Sequence, residues 1–446
     1  MAELHLKVFA DRSELVRPDG ETETFDEGPT SAEARARYQR IKARLSDGYL
    51  DEKITLCKEH PGRIAIDRMD EEHTNLIDEL LSSMGSEVGR ALIGLTVLQL
   101  CVKAIEPAQS IRLHKGGPST SNFSWRDGIS MRSLDKNHVT PVLRGHELLR
   151  LNSDGFMMTR SLAENYPYSS VYKARIRGAR LQWAAMVEGV ERNGIEPEPA
   201  LHYLLSQLIN AADDFRELAD ATLSILSDIE VVDRNLDREI ALEAMESHIL
   251  ASDYRARIME IAMHSLMQAV EESGALGDET LKPLSQMRSA NKKHGNIGDI
   301  EILDGAGIVE SWDAKYGKQY LRDELEELDD KLAHHPGVRL AGFVTDGEPE
   351  NLAELDERRE EIEDAHGASI QTLGLKKWVG FQFDRVSQTG LVEESELASR
   401  WLFAYAESLS LRRLTQAPID EPCHQWLVSL RPILENLRDT IRKETP

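Results

Sequence analysis

The stretch Gly298-Asp299-Ile300-Glu301-Ile302-Leu303-Asp304-Gly305-Ala306-Gly307-Ile308-Val309-Glu310-Ser311-Trp312-Asp313-Ala314-Lys315 decides the reading of this chain. Two β-type segments flank an Asp-Gly-Ala-Gly turn, where glycine supplies the positive φ that tight hairpins need. A three-residue loop, 305 to 307, pairs Asp304 with Ile308 and sets Asp299 opposite Asp313. Side chains alternate with period 2 along a strand, so Asp299 shares a face with Glu301, and Asp313 with Lys315. Three acids and one lysine therefore converge. Glu310 is out of phase with Asp313 and falls on the other face.

Like charges at that separation repel, so their gathering points to a bound cation or a developing positive charge. Hard oxygen ligands suit Mg²⁺, which keeps several waters and takes one or two carboxylates. An ammonium beside a metal-bound water orients it and stabilises charge building on an attacked phosphodiester. The set suits metal-assisted phosphodiester hydrolysis.

These residues resemble the motif of the PD-(D/E)XK nuclease superfamily: an acid near a hairpin turn, then acid, any residue and lysine on the next strand. Asp299 fills the first position without the preceding proline, since Gly298 stands there, and Asp313-Ala314-Lys315 fills the second, 14 residues on. The resemblance implies that Asp299, Asp313 and the main-chain carbonyl of Ala314 bind Mg²⁺ and that Lys315 serves the attacking water. It also implies a further glutamate from the helix that opens the core, for which Glu260 is the candidate. Within the superfamily the chain looks most like a type II restriction endonuclease, over about 254–385. Such an enzyme is a homodimer that cuts double-stranded DNA at a specific site and leaves 5′-phosphate ends.

Outward from the hairpin, the remaining patterns give an α+β protein, largely helical around one small mixed β-sheet of nuclease type. Strands are expected over 297–303, 308–315, 338–345 and 370–383, with acidic helices at about 319–334 and 350–365. The run Asp323 to Asp330 reads as a solvated helix face. Towards the N-terminus, a short strand (Leu4, Leu6, Val8) and a Pro/Gly/Glu-rich connector at 18–30 precede a helix capped by Ser31. Helical spacing recurs over 70–84, 87–105, 169–192, 198–228, 236–273 and 393–442. Residues 106–142 differ in character, and the run His114 to Asn122 reads as an extended polar loop, because Gly, Pro, Ser, Thr and Asn punctuate it. Five segments follow: a helical region 1–110, a basic DNA-recognition region 111–192, a helical connector 193–253, the nuclease core 254–385 and C-terminal helices 386–446.

Charge supports a polyanion partner only locally. The whole chain of 446 residues carries a formal −25, yet residues 101–190 hold 13 Lys plus Arg against 7 Asp plus Glu. That basic segment either grips phosphates or docks on the acidic remainder. Lys115, Asn122, Arg126, Arg132, Lys136 and His138, with Phe123 and Trp125 interleaved, have the inventory for phosphate and base contacts. Thr159 to Glu164 adds a stretch like the target-contacting parts of restriction enzymes, whereas Lys173, Arg175, Arg177 and Arg180 suit a solvated face equally well.

Other chemistries lose support. The three cysteines, Cys57, Cys101 and Cys423, are far apart and form no CxxC pair, as expected of free core thiols in a reducing compartment. No HExxH, GxxxxGK[ST] or GxSxG motif occurs, which argues against a zinc protease, a nucleotide cofactor and a serine hydrolase. The polar start of the chain and the interruptions in Ala91 to Ile105 predict a cytoplasmic protein away from membranes. Two other readings stand beside the restriction enzyme: a helical DNA- or protein-binding regulator without activity, and a repair or phage-defence nuclease without sequence preference.

Overall fold

The computed structural model describes residues 3–60, 69–117, 123–149, 165–171, 178–192, 194–232, 236–284, 295–412 and 422–444. The chain is α+β and divides into two compact units, with the boundary between Asp214 and Phe215. This is a coarser division than the five sequence segments.

The first unit opens with a three-stranded antiparallel meander, β1 (His5–Val8), β2 (Arg12–Val16) and β3 (Thr22–Asp26). Only β1 was expected; the Pro/Gly/Glu-rich connector in fact supplies a turn around Gly20 (φ 90°) and then β3. Leu15 and Phe25 alternate inward from the meander and bury Leu113 and Trp125 against them. The rest is helical: α1 (Ala32–Ser46), α2 (Tyr49–Glu59), α3 (Glu71–Leu81), α4 (Glu87–Ile105) and α5 (Arg180–Glu191). Ser31 caps α1 as expected, its Oγ accepting from the Ala34 N–H at 3.0 Å. Among the described residues, one helix segment, Val88–Ile105, is long and apolar enough to cross a membrane, and 78% of it is buried in this unit's own core. The loop expected over His114 to Asn122 is non-helical as far as Gly117, residues 118–122 lying outside the described residues, and further on Met131–Leu134, Asp135–Val139 and Thr140–Gly145 form consecutive helical turns that bury Met131, Leu134, Val139 and Leu143.

Helix α6 (Pro197–Val232) contains the unit boundary. In the second unit, the helix expected over 236–273 is two helices, α7 (Arg238–Ala251) and α8 (Arg255–Glu272). Ser252 leaves the helical region and Tyr254 takes a left-handed backbone (φ 59°), which ends one helix and starts the next. Five strands follow in the order β4 (Thr280–Leu281), β5 (Ile300–Asp304), β6 (Gly307–Lys315), β7 (Leu340–Thr345) and β8 (Ser369–Gly374). β4, β5 and β6 are antiparallel and β6, β7 and β8 parallel, so the sheet is mixed and β6 is its central strand.

The parallel pairs require crossovers, which α9 (Arg322–Leu332) and α10 (Ala353–His366) provide. These helices bury Leu325, Leu328 and Ile362 on one sheet face with Ile308, Ala341 and Phe343. Helix α8 covers the other face, where Ile258 and Met259 share a core with Ile300, Ile302 and Trp312. The last expected strand is too long: after Gly374 the chain turns into α11 (Leu375–Thr389), whose Trp378, Val379, Gln382, Phe383 and Val386 keep helical spacing. Helices α12 (Glu394–Glu407) and α13 (Cys423–Glu444) complete the unit.

Candidate active site

The hairpin carries the site, although its turn differs from the expected one. Asp304 pairs with Gly307, leaving a two-residue loop of Gly305 and Ala306, and Leu303 pairs with Ile308. Gly305 alone takes a positive φ (59°), as the first loop position of a type II′ turn does. Val309 is then an extra residue, a bulge, beyond which Ile302 faces Glu310 and Ile300 faces Trp312. The bulge restores the register that a three-residue loop would have given, and Asp299 comes opposite Asp313 after all.

Asp299 lies just before β5. Its N–H donates to the Trp312 carbonyl (3.0 Å), and its Oδ2 accepts from the Ala314 N–H (3.1 Å). Gly298 permits this approach, since a Cβ there would lie 2.7 Å from both Ser311 Oγ and the Trp312 carbonyl oxygen. Glu301, on the same face as Asp299, holds the preceding turn. It accepts from the Ile297 N–H (2.6 Å) and from Lys282 Nζ (2.5 Å), which also donates to Asn296 Oδ1 (2.9 Å). Lys331 of α9 donates to the Ile297 carbonyl (2.9 Å).

Asp313 is buried and forms an ion pair with Lys315, whose Nζ is 2.8 Å from Oδ2. The carboxyls of Asp299 and Asp313 lie close enough for each charge to act on the other. Burial raises the Asp299 pKa well above the usual carboxylate range, and the charges of Asp313 and Glu260 push it further up. Lys315 is raised in turn: burial works against its charge, and the Asp313 carboxylate outweighs that. Glu260 reaches the site from α8 through its charge on Asp299, while its carboxylate is held by Arg257 one turn back. Glu310 faces the opposite side, as alternation requires, where it accepts from Arg385 (2.6 Å) and Trp312 Nε1 (2.7 Å).

This donor set fits a hard divalent cation. Two adjacent carboxylates whose charges repel are a place where a cation relieves the repulsion. Among the described residues no cluster of three or more His, Cys, Asp or Glu is arranged to cage a metal. Two carboxylates with the rest of the shell from water match the habit of Mg²⁺. Ala314 donates its N–H to Asp299, which ties the first acid to the strand bearing the second.

The basic residues of the first unit present a mixed picture. Arg126, Arg132 and Lys136 are exposed and His138 is half-buried, its pKa lowered by burial and by Lys42. Lys115 donates to Asn165 (3.2 Å) and lies over the Phe123 ring at 5.1 Å. Trp125 is fully buried, so its ring is core and is closed to stacking on bases. Arg112 is buried as well, bound to Glu188 (2.6 Å) and to the Tyr168 carbonyl (2.8 Å), and Lys103 pairs with Glu191 (2.8 Å). Part of the positive segment is therefore spent within the fold. Asn122, Thr159 to Glu164, Lys173, Arg175 and Arg177 lie outside the described residues.

Residues that sequence reasoning passed over include Lys282, Lys331 and Arg257, whose partners are distant in sequence or lie out of phase with the motif. Glu324 is the largest departure. It sits in the acidic run expected to be solvated, yet its side chain is only 9% exposed. No protein-family model matches this chain, and no curated protein matches it.

Proposed function

We propose that the chain is a Mg²⁺-dependent endonuclease that hydrolyses DNA phosphodiester bonds, of the PD-(D/E)XK kind and most like a type II restriction enzyme. The observation that carries this reading is the meeting of Asp299, Asp313 and Lys315 at the hairpin, where the charge of one carboxyl raises the pKa of the other. Asp299 and Asp313 would hold Mg²⁺, which when bound supplies Lewis-acid neutralisation of the scissile phosphate and a more acidic water. Lys315 stays cationic beside Asp313 and holds a water by hydrogen bond on the phosphate's side, ready for in-line attack. Glu260 adds negative charge at Asp299 that favours a cation there.

Exposed Arg126, Arg132 and Lys136 supply phosphate or base contacts, and a homodimer would suit a two-fold symmetric site. The products would carry 5′-phosphate ends. The test is incubation of the purified protein with phage and plasmid DNA, with Mg²⁺ or with EDTA, beside Lys315→Ala. Discrete Mg²⁺-dependent fragments that vanish in the variant support the whole reading. A smear supports a nuclease without sequence preference, and intact DNA with every divalent metal tried overturns catalysis in favour of a binding protein.

A further inference from the structure

Beneath Asp313 and Lys315, on the sheet face covered by α9, is a small cavity of about 10 Å³, room for about one water. Its polar walls are Ser311, Asp313, Lys315, Glu324, Glu327 and Lys331, and its apolar walls include Leu328 and Phe343. Two buried atoms among these walls, Ser311 Oγ and Glu324 Oε2, have no hydrogen-bond partner among the described residues. The other Glu324 oxygen is bound by Lys318. A buried carboxylate oxygen left without a donor costs on the order of 1–3 kcal/mol or more, so such atoms are normally satisfied by ordered water. The charge of Glu324 also acts on Lys315.

Resting on the nuclease reading above, we propose that Glu324 is a positioning residue: its Oε2 fixes a water in this cavity, and that water holds the Lys315 ammonium in its working place. The need arises because Asp313 serves two partners. Once its carboxylate is drawn to a cation, its grip on Lys315 weakens, and a second anionic anchor keeps the ammonium from swinging away.

The test compares wild type, Glu324→Ala, Glu324→Gln and Lys315→Ala for melting temperature, kcat and KM on cleavable DNA. Glu324→Ala should lower kcat about 10- to 100-fold at unchanged KM, the usual range for an outer-shell partner, and Glu324→Gln, which still offers an oxygen, should recover most of it. Folded Glu324→Ala with wild-type kcat, or with its loss confined to KM, overturns the assignment while leaving the nuclease reading intact. A wild-type chain that cuts nothing overturns both. Should Glu324→Ala fail to fold, Ser311→Ala removes the opposite polar wall and leaves the Lys318 pair alone; an unchanged kcat there again overturns it. A readout free of activity is a high-resolution crystal structure of the metal-free protein. One ordered water within about 3.2 Å of Glu324 Oε2 is expected, and an Oε2 turned to solvent above a dry cavity overturns the proposal.

Discussion

Asp299 accepts a hydrogen bond from the backbone N–H of Ala314 at 3.1 Å, so the first acid is clamped to the residue between Asp313 and Lys315. The clamp fixes Asp299 against its like-charged neighbour, and the cost appears as a carboxyl whose pKa is raised by burial and then by Asp313 and Glu260. A carboxyl with a folded pKa above its unfolded value of about 3.9 adds stability below that value and loses it as pH rises through the folded pKa. At neutral pH, without a cation, the site is a source of instability. Asp299→Asn keeps an oxygen for Ala314 and offers an amide N–H to Asp313. It should raise the melting temperature of the metal-free protein at pH 7 by a few degrees, about 2–4 °C per kcal/mol gained, and abolish Mg²⁺-dependent cutting. The gain should shrink towards pH 4. Calorimetry with EDTA across pH checks it, and a variant less stable than wild type at pH 7 refutes the electrostatic account.

The turn before Asp299 depends on Glu301, whose side chain is 1% exposed and accepts from Ile297 N–H and Lys282 Nζ. Glu301→Leu leaves those donors buried without an acceptor and should cost about 2–4 kcal/mol. Glu301→Gln still accepts from the Ile297 N–H, so its cost should be smaller by half or more. Urea denaturation of the two variants separates the outcomes; equal, small losses would mean that the turn holds without this carboxylate.

The meeting of Asp299, Asp313 and Lys315 was legible because alternation along two short strands is a local rule. The loop was not. A two-residue turn followed by a bulge at Val309 gives the same register at Asp299 as a three-residue turn, so the pairing of the acids could be read while the path to it could not. The helix after Gly374 hid inside an apolar run whose spacing at Trp378, Gln382 and Val386 is nonetheless helical. Glu324 gave no local signal at all: its burial follows from how α9 packs on the sheet, and an acidic run on a crossover helix looks alike whether one member is buried or none. In the basic segment too, the partner of Arg112 is remote, since it finds Glu188 across 76 residues.

Gly298 and Gly305 make a paired test of where the hairpin tolerates a side chain. A Cβ at Gly298 would meet the Trp312 carbonyl oxygen at 2.7 Å, so Gly298→Ala must push apart the strands that bring Asp299 to Asp313. At Gly305 nothing lies within 4 Å, and the cost is the left-handed backbone alone, about 1–2 kcal/mol. Gly298→Ala should lower kcat at least tenfold in folded protein, whereas Gly305→Ala should lower the melting temperature and leave kcat within about twofold. Steady-state cleavage rates at a temperature where both are folded decide it. Equal kcat for the two would show that the site does not need the close approach at Gly298.

His248 predicts how the second unit meets acid. Its Nδ1 accepts from the Tyr405 hydroxyl (2.6 Å) and its Nε2–H donates to the Trp426 carbonyl (2.8 Å), an arrangement met by the neutral ring and joining α7, α12 and α13. Burial lowers its pKa to about 4, against a small opposing pull from the Trp426 carbonyl. For a base whose folded pKa lies below its unfolded value of about 6.5, the stability is complete above pH 6.5 and is lost as pH falls towards the folded pKa. The loss should reach about 2 kcal/mol at pH 5 from this group alone. In the first unit His114, stacked on Tyr168 and lowered to about 3 by burial and Lys115, adds a loss of the same sign. His248→Gln keeps an amide for the Trp426 carbonyl and removes the titrating ring. It should be less stable than wild type at pH 7.5 and lose less on acidification between pH 6.5 and 5. Urea midpoints at those pH values measure both slopes, and parallel slopes in the two proteins would remove His248 as the source.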